Sequence, residues 1–240
     1  MSAPPASPDL TVCVLAFNEA ENLAARVRQL HAALTGLHRT FELILINDGS
    51  TDGTPQVAAD LVAELSAVRV IHHPVNLGLG GVYRTGFAEA RGEFVTFFPA
   101  DGQFPPDILA QFLPHTATHD LVLGYLPARP CGLAARLLSW AERVILRVLL
   151  GPLPRFQGVM LFRRELLARI PLHSQGRGWM IVMEFIIKAS RSGCRVTSLP
   201  TAVRPRLSGE SKVKNLRTIT SNLRQLLAFA WQCRQSIGKP

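Results

Sequence analysis

Two acidic turns follow apolar runs in the first half of this chain, and their residues are the best suited to chemistry. Residues 43–46 are branched and apolar and stop at Asn47 and Asp48, while residues 93–98 lead in the same way to Asp101. An apolar run bounded by Gly and Asp predicts a buried strand that ends in a tight turn. Open α/β sheets bind ligands at the carboxyl ends of their strands. We therefore expect Asp48 and Asp101 to share one ligand-binding edge of a sheet.

The two carboxylates favour different contacts. Asp48 is suited to accept hydrogen bonds from a nucleobase or a ribose. Asp101 and Gln103 place a carboxylate and an amide oxygen close together, and both are ligands that Mg²⁺ or Mn²⁺ takes alongside diphosphate oxygens and water. The alternative for each aspartate is that it only forms a turn.

Strands and helices alternate through the first 100 residues. The predicted strands cover residues 10–17, 41–46, 68–72 and 93–98, with a helical pattern after each of the first three. This alternation predicts a mainly parallel sheet flanked by helices. Asn18 is predicted to cap the first helix, and Thr54 the second, just before Pro55.

Residues 76–81 are rich in glycine and open the third helix. Their spacing is not that of a dinucleotide-binding loop, and they follow the third strand instead of the first, so we exclude that kind of site. We expect these glycines to let the start of the helix approach a bound ligand closely.

The second half shows weaker strand patterns and two basic helices. Strands are predicted over 121–123, 156–162 and 195–199, and a helix over 180–191. Residues 131–150 predict an apolar helix that carries Arg136, Arg143 and Arg147, and Arg129 completes a narrow arginine stripe if the helix extends back that far. That pattern is typical of a helix lying on a membrane surface, although a core helix with solvated arginines has the same periodicity. Residues 213–240 predict a basic amphipathic helix.

Charge divides the chain into two unequal halves. Residues 1–120 contain 6 Lys and Arg against 13 Asp and Glu, a net charge of −7, whereas residues 121–240 contain 20 against 4, a net charge of +16. The basic half suits a phosphorylated substrate, an anionic membrane or nucleic acid. Nucleic acid is disfavoured because aromatic residues do not interleave with the basic ones.

Localisation signals are few. Residues 1–9 are predicted to be a disordered leader and not a signal peptide. The four cysteines are scattered and match no metal spacing, which favours a reduced, cytosolic setting. No run of about 18 apolar residues is present, so a spanning helix is not expected.

Four ordered motifs, at residues 17–22, 47–54, 76–86 and 100–103, resemble those of inverting family-2 glycosyltransferases of the GT-A fold. The segment at 209–212 is similar to one carried by dolichol-phosphate mannosyltransferases and other polyprenyl-phosphate glycosyltransferases. The resemblance covers roughly residues 10–215. It implies an α/β GT-A domain over 10–212, with a Rossmann-like, mainly parallel sheet flanked by helices, and a basic helical extension over 213–240.

The resemblance also implies roles for single residues. Nucleotide-sugar binding is implied for Ala16, Phe17, Glu19, Asp48, Ala100, Arg129, Arg206 and Lys212. A Mg²⁺ or Mn²⁺ ion is implied at Asp101 and Gln103. Catalysis is implied to rest on Asp101, Arg206 and Lys212, which stabilise charge on the leaving diphosphate.

Two positions depart from the family pattern. The metal motif of the family has two acidic residues separated by one other residue, and here Pro99 replaces the first of them. The polyprenyl branch places an arginine directly after the glycine of the fifth strand, here Gly124, and Arg129 is the nearest substitute.

These features predict a metal-dependent hexosyltransferase, peripheral on the cytoplasmic membrane face. It would move a sugar from GDP-mannose or a UDP-hexose to a polyprenyl or dolichyl phosphate with inversion. One alternative is transfer to a soluble glycan or protein hydroxyl, which requires a base, and Glu184 is the candidate. The other is an inactive nucleotide-sugar-binding relative, which the proline at position 99 suggests.

Overall fold

The structure is a computed structural model that describes residues 7–127, residue 147 and residues 151–204. Three of the predicted site residues, Arg129, Arg206 and Lys212, lie outside the described residues. The helices predicted over 131–150 and 213–240 also lie outside them, apart from Arg147.

Within the described residues, seven strands form one sheet in the order β3-β2-β1-β4-β6-β5-β7. They are β1 (Leu10–Ala16), β2 (Phe41–Asn47), β3 (Val68–His72), β4 (Phe94–Pro99), β5 (Leu121–Tyr125), β6 (Met160–Arg163) and β7 (Val196–Pro200). Only β6 is antiparallel to its neighbours, β4 and β5. The predicted mainly parallel α/β sheet is confirmed. β6 begins at residue 160 and not at 156 as predicted.

Helices cover both faces of the sheet. They are α1 (Ala20–Thr35), α2 (Thr54–Glu64), α3 (Gly78–Glu89), α4 (Ile108–Phe112), α5 (Glu165–Arg169) and α6 (Met180–Arg191), with a 3₁₀ helix over Leu113–Ala117. Apolar side chains of α1 and α2 belong to one buried cluster, and those of α3 and α6 belong to another. The strands between these clusters are buried on both faces, as is typical of parallel sheets.

The register of the central strands aligns their carboxyl ends. Ala16 at the end of β1 pairs with Asn47 of β2, and Leu15 pairs with Pro99 of β4. The turns that follow β2 and β4 therefore start at the same edge of the sheet, on either side of β1.

Two capping predictions are wrong. α1 begins at Ala20 with Glu19 in the capping position, and Asn18 has φ 51°. Asn18 Oδ1 instead accepts the backbone N–H of Thr51 at 2.9 Å. The Thr54 hydroxyl accepts the N–H of Glu19 at 2.9 Å, so it joins the loop after β1 to the start of α2. Both side chains satisfy donors of a different loop and not of their own helix.

Within the part of the chain that the structure describes, no helix is long and apolar enough to cross a membrane.

Candidate functional site

The loops after β1, β2 and β4 meet at one edge of the sheet. The N–H of Asp48 donates to Ala16 O at 2.9 Å, and the N–H of Ala100 donates to Leu15 O at 3.0 Å. These bonds tie the first residues beyond β2 and β4 to the end of β1, which lies between them. The structure thus brings the turns that carry Asp48 and Asp101 to the shared edge that the sequence predicts.

The Asp48 carboxylate is held by three donors and is only 4% exposed. Its Oδ1 accepts the N–H of Leu77 at 2.8 Å and pairs with His73 Nδ1 at 2.7 Å, while Oδ2 accepts the N–H of Gly78 at 2.8 Å. A carboxylate oxygen accepts about two hydrogen bonds. Among the contacts of the described residues, Oδ1 is therefore saturated and Oδ2 has one further acceptor position.

Gly49 lets the segment after β3 pack on this turn. It has φ 66°, and a Cβ there would lie 2.5 Å from Asn76 N. The Asn76 side chain donates to Asp48 O at 3.1 Å and accepts from Arg177 Nη2 at 2.6 Å. A side chain at position 49 would both strain the backbone and displace this segment.

Asp101 lies two residues beyond β4 and is 7% exposed. Its Oδ1 accepts the N–H of Gln103 at 3.1 Å, and Gln103 O accepts the N–H of Arg204 at 2.8 Å. The described residues contain no group of three His, Cys, Asp or Glu that could hold a metal. A single carboxylate nevertheless fits Mg²⁺, which is commonly bound by one or two carboxylates together with substrate phosphates and water.

Arg26 is a buried cation near this carboxylate. It is 0% exposed, its guanidinium lies 5.1 Å from the Phe98 ring centroid, and its Nη2 donates to Phe104 O. Its Nε and Nη1 atoms are buried and have no hydrogen-bond partner among the described residues. Burial lowers the pKa of Arg26 to about 10, while the charge of Asp101 acts in the opposite direction. The arginine remains charged at neutral pH and contributes positive potential beneath the Asp101 loop.

The glycines at the start of α3 make room for another segment of the protein, and a close approach to a ligand stays a prediction. A Cβ on Gly78 would lie 2.6 Å from Arg177 O, and one on Gly80 would lie 2.1 Å from Gly176 O. Arg84 of α3 also donates to the carbonyls of Ser174 and Gly176. The 172–179 segment, which precedes α6, is thus packed against the first turns of α3.

Glu184 of α6 anchors that segment from the other side. It is 1% exposed and accepts the N–H groups of His173 and Ser174 as well as Lys188 Nζ, the last at 2.7 Å. Burial alone would raise the pKa of this carboxyl, but the hydrogen bonds from Lys188, Ser174 and His173 hold it below its ordinary value. Glu184 therefore has a structural role, and its carboxylate is occupied by protein donors.

We expect Glu184→Gln to lower the free energy of unfolding by about 1–3 kcal/mol at pH 7, because an amide cannot accept all of these donors. A carboxyl whose pKa is depressed by folding stabilises the protein above its unfolded pKa, and this stability is lost as the pH falls through the folded value. The difference in unfolding free energy between wild type and Glu184→Gln should therefore narrow below pH 4.5, the ordinary pKa of a glutamate carboxyl.

Urea unfolding at pH 7 and pH 4 measures this gap. Glu21→Gln, at an exposed position of α1, is the matched control and should stay within about 0.5 kcal/mol of wild type. A gap for Glu184→Gln that is the same at both pH values would contradict the assignment.

Other predicted residues lie around the same edge. Ala16 and Ala100 are buried at 2% and 1% exposure, and Phe17 and Glu19 are half-buried in the loop after β1. The Glu19 carboxylate accepts from Asn22 Nδ2 at 2.8 Å. Of the eight residues predicted to bind the nucleotide-sugar, the structure places these four and Asp48 at one edge.

Sequence reasoning missed Arg26 and His73. Arg26 lies within the regular apolar pattern of α1, where an arginine normally points to solvent. The register that pairs Asn47 with His72 puts the next residues, Asp48 and His73, opposite each other, and this register is visible only in the structure.

Comparison with known proteins shows that residues 11–170 match glycosyl transferase family 2. The chain is 30% identical over 211 residues to an undecaprenyl-phosphate mannosyltransferase from Micrococcus luteus, with 82% of this chain and 84% of that protein covered. It is 28% identical to glycosyltransferase AglD from Haloferax volcanii over 96% of this chain, and it spans only 38% of the length of that relative.

A solved structure supports the fold. The glucosyl-3-phosphoglycerate synthase of Mycobacterium tuberculosis, crystallised with Mn²⁺, UDP and phosphoglyceric acid, superposes with a TM-score of 0.64 at 22% identity. The match covers 91% of this chain and 78% of that one. At this level of identity the likeness establishes a common architecture.

Proposed function

The chain belongs to glycosyl transferase family 2, and we propose that it transfers a sugar from a nucleotide-sugar to a polyprenyl phosphate with inversion at the anomeric carbon. The observation that carries the proposal is the meeting of the Asp48 and Asp101 turns on either side of β1, at the carboxyl edge of the sheet. The similarity to a mannosyltransferase that acts on undecaprenyl phosphate supports the lipid phosphate as acceptor.

The donor nucleotide would bind across the first two strand ends. Asp48 Oδ2 offers an acceptor position to the base or the ribose, beside Ala16 and Phe17. GDP-mannose and UDP-hexoses both carry ring N–H groups that can donate to such an oxygen. The diphosphate would then lie toward β4, where Asp101 lies.

Asp101 and Gln103 would hold a Mg²⁺ or Mn²⁺ ion together with the diphosphate. Such an ion, when bound, neutralises negative charge on phosphoryl oxygens. The mycobacterial synthase of the same fold was crystallised with Mn²⁺. Because position 99 is a proline, Asp101 supplies the carboxylate of this motif alone.

In the reaction, an oxygen of the acceptor phosphate attacks the anomeric carbon of the sugar. The bond between that carbon and the diphosphate oxygen breaks, and the leaving nucleoside diphosphate takes the electron pair. Attack on the face opposite the leaving group inverts the configuration. The step needs no oxidant or reductant, and its main demand is charge stabilisation of the leaving diphosphate.

Basic residues would supply part of that stabilisation. The N–H of Arg204 donates to Gln103 O, so the segment after β7 reaches the Asp101 loop. Arg206, two residues further along the sequence, is proposed as a contact of the diphosphate from the resemblance. Lys212 and Arg129 are proposed as further phosphate contacts from the resemblance.

A phosphate acceptor also agrees with the role of Glu184. A soluble hydroxyl acceptor would need a general base, and Glu184 is the candidate for that role. The residue is 1% exposed and its carboxylate accepts protein N–H groups, so it is not available to an acceptor. An acceptor that is already an anion requires no such base.

An acceptor panel tests this proposal. Purified protein is incubated with labelled GDP-mannose or UDP-glucose, a divalent metal and one acceptor: polyprenyl phosphate, the matching polyprenol, or a soluble oligosaccharide. We expect transfer to the polyprenyl phosphate and at least 100-fold less to the polyprenol. Preferred transfer to the oligosaccharide would overturn the assignment of the acceptor.

We also propose that the basic half attaches the enzyme to the cytoplasmic face of an anionic membrane. Each basic residue near such a surface contributes about 1 kcal/mol, screened over a Debye length of about 8 Å at physiological salt. Replacing Arg136, Arg143 and Arg147 together by glutamine should reduce flotation with anionic vesicles at least tenfold while nucleotide binding is unchanged.

The matched control replaces three exposed arginines of the acidic half, Arg28, Arg39 and Arg91, by glutamine. This change alters net charge equally and should leave flotation within twofold of wild type. Absence of any association between the wild-type protein and anionic vesicles at low salt would rule out the proposed attachment.

A further inference from the structure

Asp48 is part of a buried hydrogen-bonded chain that reaches into α3. His73, the first residue after β3, is 9% exposed and lies between Asp48 and Thr85. Its Nδ1 is 2.7 Å from Asp48 Oδ1, and its Nε2 is 2.8 Å from Thr85 Oγ1. The Thr85 backbone is held in the third turn of α3, so the imidazole is fixed at both ends.

The chemistry of the three groups determines where the protons lie. An ionised carboxylate only accepts, so His73 Nδ1 must carry the hydrogen that Asp48 Oδ1 receives. In the neutral ring Nε2 is then an acceptor, and the Thr85 hydroxyl donates to it. The aspartate thereby fixes the imidazole tautomer, and the Thr85 hydroxyl, which can donate or accept, holds the other side of the ring.

The same contacts fix the carboxylate plane of Asp48. Three donors from His73, Leu77 and Gly78 surround it, and the remaining acceptor position is on Oδ2. A carboxylate held in this way cannot rotate without breaking a buried hydrogen bond. It can pair with a ligand N–H and repels a ligand lone pair.

We propose that His73, with Thr85, is a positioning residue that holds Asp48 as a fixed acceptor and so selects nucleobases with a ring N–H. Uracil and guanine present such a donor, whereas the corresponding ring nitrogens of cytosine and adenine are acceptors. A site built to receive a hydrogen bond rejects ligands that lack the donor, because its polar group is then left unpaired. This inference rests on the proposed contact between Asp48 and the donor base.

Calorimetric binding of nucleoside diphosphates tests the proposal, with ribose 5-diphosphate as the probe that has no base. For the wild type we expect UDP or GDP to bind at least tenfold more tightly than both CDP and ADP. In His73→Leu this margin, the ratio of the affinity for UDP or GDP to that for CDP or ADP, should fall below threefold. The affinity for ribose 5-diphosphate should change by less than twofold. His73→Asn should keep most of the margin, because the amide Nδ2 of asparagine can occupy the place of the imidazole Nδ1.

The outcomes separate a positioning role from a structural one. An equal loss of affinity for UDP, GDP and ribose 5-diphosphate in His73→Leu would show that His73 is merely structural and overturn the proposal. An unchanged margin would also overturn it. If His73→Leu does not fold, Thr85→Val removes the outer partner and should reduce the margin at least threefold, with Thr85→Ser as the matched control. An unchanged margin in Thr85→Val would then overturn the proposal.

Failure of the proposed function is distinguishable from failure of this inference. A wild-type protein that binds none of the four nucleoside diphosphates would contradict the assignment of a nucleotide-sugar donor. A wild-type protein that binds all four equally would leave that assignment intact and refute the role of His73 in base selection.

Discussion

Replacing Asp101 with asparagine is expected to lower kcat by about 100-fold or more, with a small effect on stability. Removal of one key electrostatic group typically costs this much when charge develops on a leaving group. Pro99 cannot substitute for the lost carboxylate, and the described residues contain no group of three His, Cys, Asp or Glu that could hold a metal instead. Initial rates with saturating nucleotide-sugar and polyprenyl phosphate, in the presence of Mg²⁺ or Mn²⁺, measure the effect.

The matched control for this change is Asp107→Asn, six residues further along the same segment. The Asp107 side chain is 83% exposed and lies 3.9 Å from Arg204. Its replacement should leave kcat within about twofold of wild type. A near wild-type rate for Asp101→Asn, or activity that survives EDTA unchanged, would contradict the proposed metal site.

Replacing Asp48 with alanine is expected to weaken nucleotide binding by about 10- to 100-fold, the range for loss of a hydrogen bond to a charged group. The change also leaves the N–H groups of Leu77 and Gly78 without their acceptor, which should cost about 1–3 kcal/mol for each group that stays buried. Calorimetry on protein that is folded by circular dichroism measures the first effect, and urea unfolding the second.

Asp52→Ala is the control within the same turn. Asp52 is exposed and accepts the N–H groups of Thr54 and Ala20, at 2.9 and 3.2 Å. Its loss should cost about 1 kcal/mol of stability, as for a helix cap, and leave nucleotide affinity unchanged. Unaltered nucleotide affinity in folded Asp48→Ala would refute the role of Asp48 in the donor site.

The features that local pattern predicts well are those that depend on burial. The apolar positions of α1 and the apolar runs of β1 and β2 are buried as predicted. A helix with one apolar face packs that face inward, and a continuous apolar run fits a strand covered on both faces. The position of Asp48 and Asp101 at one edge followed from the rule that parallel strands end together.

The features that local pattern missed depend on contacts distant in sequence. Asn18 and Thr54 have the residue types of helix caps, but each satisfies a donor more than 30 residues away. Gly80 has the residue type suited to a close ligand contact, yet the backbone of Gly176 occupies the space that a Cβ at position 80 would need. Partners this far apart are set by strand order and register, which a single sequence does not display.

The measurement that tests the central claim most directly is product analysis after incubation with nucleotide-sugar, polyprenyl phosphate and divalent metal. We predict release of one nucleoside diphosphate for each sugar that enters a lipid product. The sugar in that product should be joined through phosphate, be released by mild acid, and have the anomeric configuration opposite to that of the donor. Nucleoside diphosphate release without a lipid-linked sugar, or a product that retains the configuration of the donor, would contradict the account.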